Sequence, residues 1–266
     1  MKRRLFCEIS PFTYYLSKQK ECLKRYIQDR RSRLVFSETK GGALPVLVYK
    51  HNSLIRRKLG NVNMDLQENK AVNLSIAAPL VSGILIRPGE VFSFWRLVGS
   101  CTKEKGYKQG LTISLGKTSQ DIGGGMCQFT NLLHWMVLHS PLEVIEIHHH
   151  NDLDLFPDYG RQIPFGCGTS IMYNYLDYRV KNNTENTFQF MVELSPTHLR
   201  GELRAASQTE YSYHIEERDS RFIRVDGDYY RMNKVYRNII DKSTGVTVEC
   251  RLIVESRAKV AYDFTP

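Results

Sequence analysis

The 266-residue sequence has no run approaching the roughly 18 to 20 apolar residues needed to cross a bilayer as a helix, so no such span is expected. Its six cysteines (Cys7, Cys22, Cys101, Cys127, Cys167, Cys250) include no CxxC pair, which argues against a zinc ribbon or a disulfide framework and favours a reduced compartment. No internal repeat is evident at a fixed period, which excludes a solenoid. After Lys2-Arg3-Arg4, the stretch from Leu5 to Leu16 is broken by Glu8, Ser10 and Pro11, without the apolar core or cleavage site of a secretory signal. The expected location is cytoplasmic, with peripheral contact at the inner membrane face as an option.

What is present is an uneven charge. Of the net +9, residues 1–40 hold 11 Lys or Arg against 4 Asp or Glu, and the remainder is nearly neutral. A basic appendage therefore fits better than a basic active cleft, and no nucleic-acid partner is expected because no stacking motif accompanies the charge. Ser10-Pro11 reads as an N-cap with proline at the first helical position. Phe12, Tyr15, Leu16, Leu23, Tyr26 and Ile27 then recur at helical spacing, with Lys18, Lys20, Lys24 and Arg25 elsewhere on the wheel. This stripe is expected to pack on the body of the protein; the alternative is docking of residues 10–33 on an anionic membrane.

Further along, strand-like segments are expected at Leu44–Tyr49 and Ile84–Ile86, with a helix from about Asp65 to Ala78 ended or kinked by Pro79. A turn at Arg87–Glu90 and an aromatic run at Val91–Val98 follow. The centre of interest is Asp121-Ile122-Gly123-Gly124-Gly125-Met126-Cys127-Gln128. Consecutive glycines imply that backbone comes close to something. Cys127 falls at the start of an apolar helical stripe (Phe129, Leu132, Leu133, Met136, Val137), where unpaired N–H groups and the helix dipole would lower a thiol pKa. The ordinary reading is a buried small residue after a loop; the functional one is a nucleophile.

Leu142–His150 reads as a strand, on which His148 and His150 share one face and His149 takes the other beside Ile147 and Ile145. One histidine of the first pair could reach Cys127. The same HxH pair could ligate zinc, but no second ligand pair has diagnostic spacing, so neither metal nor cofactor is expected. The final third carries short β-rich runs, Phe188–Leu194, Tyr211–Ile215, Tyr229–Met232 and Val246–Val254.

Ile86-Arg87-Pro88-Gly89-Glu90-Val91-Phe92-Ser93-Phe94-Trp95, Gly106-Tyr107, Gly123-Gly124-Gly125-Met126-Cys127-Gln128 and Leu176-Asp177 with Asn182 together resemble the VanW family over roughly residues 63–185. The resemblance implies a link to glycopeptide resistance. In some anchored relatives VanW domains are associated with L,D-transpeptidation, with the motif cysteine as nucleophile, which maps to Cys127. The family's R-H-x-H pattern falls on Ile147-His148-His149-His150, so His148 and His150 match and the arginine does not. Where the family often has Gly-x-Asp-Ala-Thr-Val, this chain has Gly166-Cys167-Gly168-Thr169-Ser170-Ile171. The aspartate position is thus Gly168, with Asp152, Asp154 and Asp177 as possible substitutes.

These readings combine into an α+β protein with a mixed sheet core and a central cysteine-bearing helix. The expected divisions are a basic helix region at 1–40, a VanW-like domain at 41–185 and a β-rich C-terminal module at 186–266. The expected chemistry is acyl transfer on a D-amino-acid-containing cell-wall peptide by Cys127 with His150, or His148, as base. Gly123, Gly124, Gly125, Gln128, Trp95 and Tyr107 are the candidate substrate-binding residues, with N–H groups near Cys127 and Gln128 holding the oxyanion. The rival reading is a non-catalytic accessory that binds a peptidoglycan precursor.

Overall fold

The computed structural model describes residues 5–56, 64–114, 117–149, 153–154, 157 and 162–264. It is a mixed α+β arrangement of several sheets and helices. Helix α1 (Pro11–Arg31) begins as the sequence predicts: Ser10 Oγ accepts from Thr13 N at 3.2 Å, and Thr13 Oγ1 accepts from Ser10 N at 2.9 Å. Strand β1 (Val46–Leu54) and helix α2 (Met64–Val81) follow. Pro79 neither ends nor precedes the end of α2 as a break; it sits in the last turn, where the lost N–H costs one hydrogen bond and the helix runs on to Val81.

Next come β2 (Ile84–Ile86), β3 (Val91–Ser93), the short α3 (Phe94–Val98) and the hairpin β4 (Gln109–Ser114) with β5 (Lys117–Ile122). Helix α4 (Met126–Leu138) carries Cys127. Strands β6 (Glu143–Glu146), β7 (Leu153–Asp154), β8 (Arg179–Lys181), β9 (Phe188–Leu194) and β10 (His198–Ala205) precede three long strands, β11 (Tyr211–Val225), β12 (Asp228–Asp241) and β13 (Thr247–Val260).

One sheet runs β1-β10-β9-β2, so it draws strands from both sides of the division expected after residue 185. Helix α4 lies on it, and Gly201 of β10 explains the close fit: a Cβ there would stand 2.7 Å from Met136 Cε and 3.0 Å from a methyl of Leu132. Phe92, Phe94, Phe129, Leu133, Phe188 and Phe190 fill the buried core between this sheet, α2, α4 and the sheet β3-β8-β6.

Strands β11–β13, joined by parallel pairing of β7 to β13, are longer than the apolar runs suggested. Their exposed surfaces are held by Arg–aromatic and Arg–Glu pairs, such as Arg237 over Tyr213 and Arg257 over Tyr230, rather than by apolar burial. They meet the rest of the chain through a small cluster of Trp135, Leu138, Cys167 and Val235.

Candidate functional site

The glycine run packs the start of α4 tightly on its neighbours, and Gly123, Gly124, Gly125 and Gln128 also line a cleft at that helix start. A Cβ at Gly123 would lie 2.4 Å from Cys101 Cβ, one at Gly124 would lie 2.4 Å from the backbone carbon of Gly110 in β4, and one at Gly125 would lie 2.4 Å from Lys70 Cγ in α2. Gly123 and Gly125 also have φ of +83° and +109°. The close approach implied by three glycines is thus made to the protein's own α2, β4 and the loop at Cys101. Asn73 of α2 completes the junction, its Nδ2 donating to Gly124 O at 2.9 Å while its Oδ1 accepts from Lys108 N at 2.7 Å.

This junction aims the first turn of α4 into a cleft of about 1540 Å³, which half-buried Cys127 lines. The helix start was expected to lower the thiol pKa; the opposite holds. Burial pushes it up, and N–H donation from Ile171 and from Cys127 itself only partly offsets this. Partial charges at a helix end, spread over a turn, are outweighed when a thiolate must leave water. The thiol is therefore neutral at rest. The N–H of Gln128, expected to hold an oxyanion, already donates to Gly125 O at 3.0 Å. The Gln128 side chain is a tether to β1, donating to Ser53 Oγ and Leu54 O, each at 2.9 Å.

The Ile171 N–H is brought to the sulfur by a loop strapped to α4. Asn131, one turn beyond Cys127, accepts from Thr169 N at 2.6 Å and from Thr169 Oγ1 at 2.8 Å. The same loop holds a histidine: Nδ1 of His149 is 2.6 Å from the carbonyl oxygen of Gly168. A carbonyl only accepts, so Nδ1 carries a proton, and the tautomer this selects for the neutral ring has its lone pair on Nε2. The position where the family often has a carboxylate therefore still supplies an acceptor, from its main chain. Asp177 is engaged elsewhere, accepting from Ser93 Oγ, Trp95 N and Arg179 Nε at 2.5, 3.0 and 2.8 Å, and Asp154 accepts from Tyr262 at 3.1 Å. Asp152 and His150 lie outside the described residues.

His149, with Cys127, lines the cleft; His148 does not. Regular pairing of β6 ends at Glu146, after a register shift between Val144 and Glu146 that breaks the alternation, so that Val144 and Ile147 both pack on the core while Ile145 is exposed. Glu146 and His148 share one side, with His148 Nε2 3.0 Å from Glu146 Oε1. Ile147, packed on the core, and His149 take the other. The expected grouping of Ile145 with Ile147 and His149 is thus not kept at Ile145, and it is His149 rather than His148 that meets the cleft. Among the described residues no hydrogen bond joins His149 to Cys127, and no group of three or more His, Cys, Asp or Glu converges as a metal site would require.

Glu146 belongs to a charge cluster that anchors α1. Arg25 grips it in bidentate fashion at 2.6 Å, and Arg179 grips Asp29 of α1 at 2.6 and 2.7 Å. Burial alone would raise the Glu146 pKa; Arg25, the Asp177 N–H and His148 together hold it below its ordinary value.

Trp95 also lines the cleft, its indole N–H donating to Leu176 O at 3.0 Å. Tyr107 does not: it is buried beside Cys101, whose thiol is pushed up to about 11 by burial. The residues that sequence reasoning missed are His149, Asn131 and Thr169. Asn131 had a legible signal, since four residues after Cys127 it shares that helix face.

The family model described as VanW like protein matches residues 69–204, which contain the glycine junction, Cys127, His149 and the Gly168 loop. The vancomycin B-type resistance protein VanW of Enterococcus faecalis (strain ATCC 700802 / V583) is 33% identical over 263 residues, covering 98% of this chain and 95% of that protein. YoaR of Bacillus subtilis (strain 168) is 28% identical over 118 residues, 43% of this chain and 36% of that protein. No solved structure matches. With a family match over residues 69–204, which hold Cys127 and His149, and a relative aligned nearly end to end, the chain belongs to the VanW family.

Proposed function

We propose that this VanW-family chain serves glycopeptide resistance as a cysteine-dependent acyl transferase, L,D-transpeptidase-like in its chemistry, acting on a D-amino-acid-containing cell-wall peptide. The near full-length similarity to a vancomycin B-type resistance protein supports the setting. The chemistry rests on one observation: His149 shares the cleft with Cys127, and its bond to Gly168 O leaves Nε2 as a base.

Because the thiol is neutral at rest, Nε2 takes its proton as Sγ attacks the peptide carbonyl. A C–S bond forms, and the C–N bond breaks as Nε2–H returns the proton to the departing amine. An acceptor amine then opens the thioester in transpeptidation, or water does so in hydrolysis, and Cys127 regains its proton. Donation from Ile171 N–H holds the sulfur in place. Trp95 offers an apolar wall to the substrate.

A non-catalytic accessory that binds the same peptide is the second reading, favoured by the raised thiol pKa and by the Gln128 N–H being occupied within its own turn. Intact-mass measurement during incubation with a stem peptide and an amine acceptor separates the two. Acyl transfer requires a thioester adduct that Cys127→Ala abolishes, with His149→Ala at least ~100-fold slower. If His150→Ala instead abolishes turnover while His149→Ala does not, the base is His150. Equal peptide binding by parent and Cys127→Ala, with no adduct and no product, makes the protein an accessory.

A further inference from the structure

Helix α1 is mounted with its polar side inward. Cys22, Arg25 and Asp29, spaced three and four residues apart, make the contacts to the body. Cys22 Sγ lies 3.5 Å from Tyr173 O, Arg25 reaches Glu146 and Tyr175 O, and Asp29 meets Arg179. The apolar stripe expected to pack on the body faces solvent instead: Phe12 is 68% exposed, Tyr15 57%, Leu23 60% and Tyr26 60%. Ahead of the helix, Phe6 and Ile9 continue the exposed surface.

We infer that this outward face of α1 docks on an anionic lipid bilayer, with Phe12, Tyr15, Leu16, Leu23, Tyr26 and Ile27 in the interface. Charge selects this occupant. Lys20, Lys24 and Arg31 are exposed along one border of the stripe and Arg30 lies within it, in a segment that holds most of the net positive charge of the chain. Apolar side chains between basic ones are the pattern of helices lying in the headgroup layer. A second copy of the chain would set two such basic faces against each other and is disfavoured. The inward face of the same helix lines the cleft through Tyr14, Lys18 and Cys22, so a docked α1 holds the cleft against the membrane surface. This inference does not depend on the chemistry of Cys127.

The test is co-sedimentation of the full chain with vesicles of phosphatidylcholine alone and with about one quarter phosphatidylglycerol. Binding is expected only to the anionic vesicles, weakening with salt. Leu23→Asp with Tyr26→Asp should lower the partition at least ~10-fold. Lys20→Gln and Lys24→Gln should each lower it about five-fold, and Cys127→Ala should leave it unchanged. All these side chains except that of Cys127 are exposed, and circular dichroism of each variant confirms the fold. A Tyr26→Trp variant gives a second readout, a blue shift of its emission on anionic vesicles. Absence of binding, equal binding to neutral vesicles, indifference to the paired aspartates, or self-association that the aspartates abolish would each overturn the inference.

Discussion

Replacing Gly124 by alanine separates two meanings of the glycine run. If the backbone there were kept bare for a ligand, Gly124→Ala would spoil substrate handling and leave stability nearly intact. The structure gives the opposite expectation. The added methyl would sit 2.4 Å from the carbonyl carbon of Gly110, 2.6 Å from its Cα and 2.8 Å from its oxygen. These are main-chain atoms of a paired strand, so no rotamer change relieves them and β4 must move away from the start of α4. That movement would also stretch the Asn73 bonds to Gly124 O and Lys108 N. Overpacking in well-packed interiors costs about 1–3 kcal/mol, and an unyielding backbone contact belongs at the upper end, about 3 kcal/mol. For a chain of this size that corresponds to a fall in Tm of roughly 6–12 °C. Gly168→Ala is the control: its nearest neighbour would be Asn131 Oδ1 at 4.0 Å, and a change within ~0.5 kcal/mol is expected. Thermal and urea unfolding of both variants would measure this. Gly124→Ala with parental stability but lost peptide binding would refute the packing account.

Three other outcomes follow from the charges. His134 is buried, and that burial, aided by nearby His149, lowers its pKa from 6.5 to about 3. Between those values the unfolded chain binds the proton and the folded chain does not, so stability falls as pH drops from about 6.5 towards 3, by at most about 5 kcal/mol. Urea unfolding across that range should show a flatter profile for His134→Asn, and an unchanged slope would contradict this. Alkylation of Cys127, followed by peptide mass analysis, should accelerate only at a pH above the range of an ordinary cysteine, because burial favours the neutral thiol. Full reactivity at neutral pH would show that the site is wetter than described. Arg25→Ala removes the bidentate clasp on Glu146 and should speed tryptic cleavage within α1 several-fold. Cleavage elsewhere should not change; uniform acceleration would mean that the helix is part of the global core.

The site was legible where local chemistry decided the outcome. The start of α1 follows from Ser10, Pro11 and Thr13, and the helix bearing Cys127 follows from its apolar stripe. What could not be read was orientation. The stripe of α1 is as regular as that of α4, yet charge pairs at Arg25 and Asp29, whose partners lie more than 100 residues away, turn it outward. Along 144–149 a register shift in β6 breaks the period-two pattern, and which side meets the cleft depends on where α4 and the Gly168 loop come to rest. Long-range placement also decided the thiol: the helix start argued for a low pKa, and burial reversed it even against donation from the Ile171 N–H. Strands β11–β13 were underestimated because their lengths depend on pairs across the sheet, which a search for apolar runs does not detect.

The carbonyl of Gly168 has a consequence for how this site tolerates change. A main-chain oxygen has no codon: almost any residue at 168 that preserves the backbone path presents it equally well to His149. Substitutions there should be nearly silent, whereas deleting one residue of the loop, or removing the Asn131 side chain that holds Thr169, should misplace the imidazole altogether. Loss of a side-chain carboxylate from this position is therefore a poor diagnostic of a dead site, and loop length is the better one.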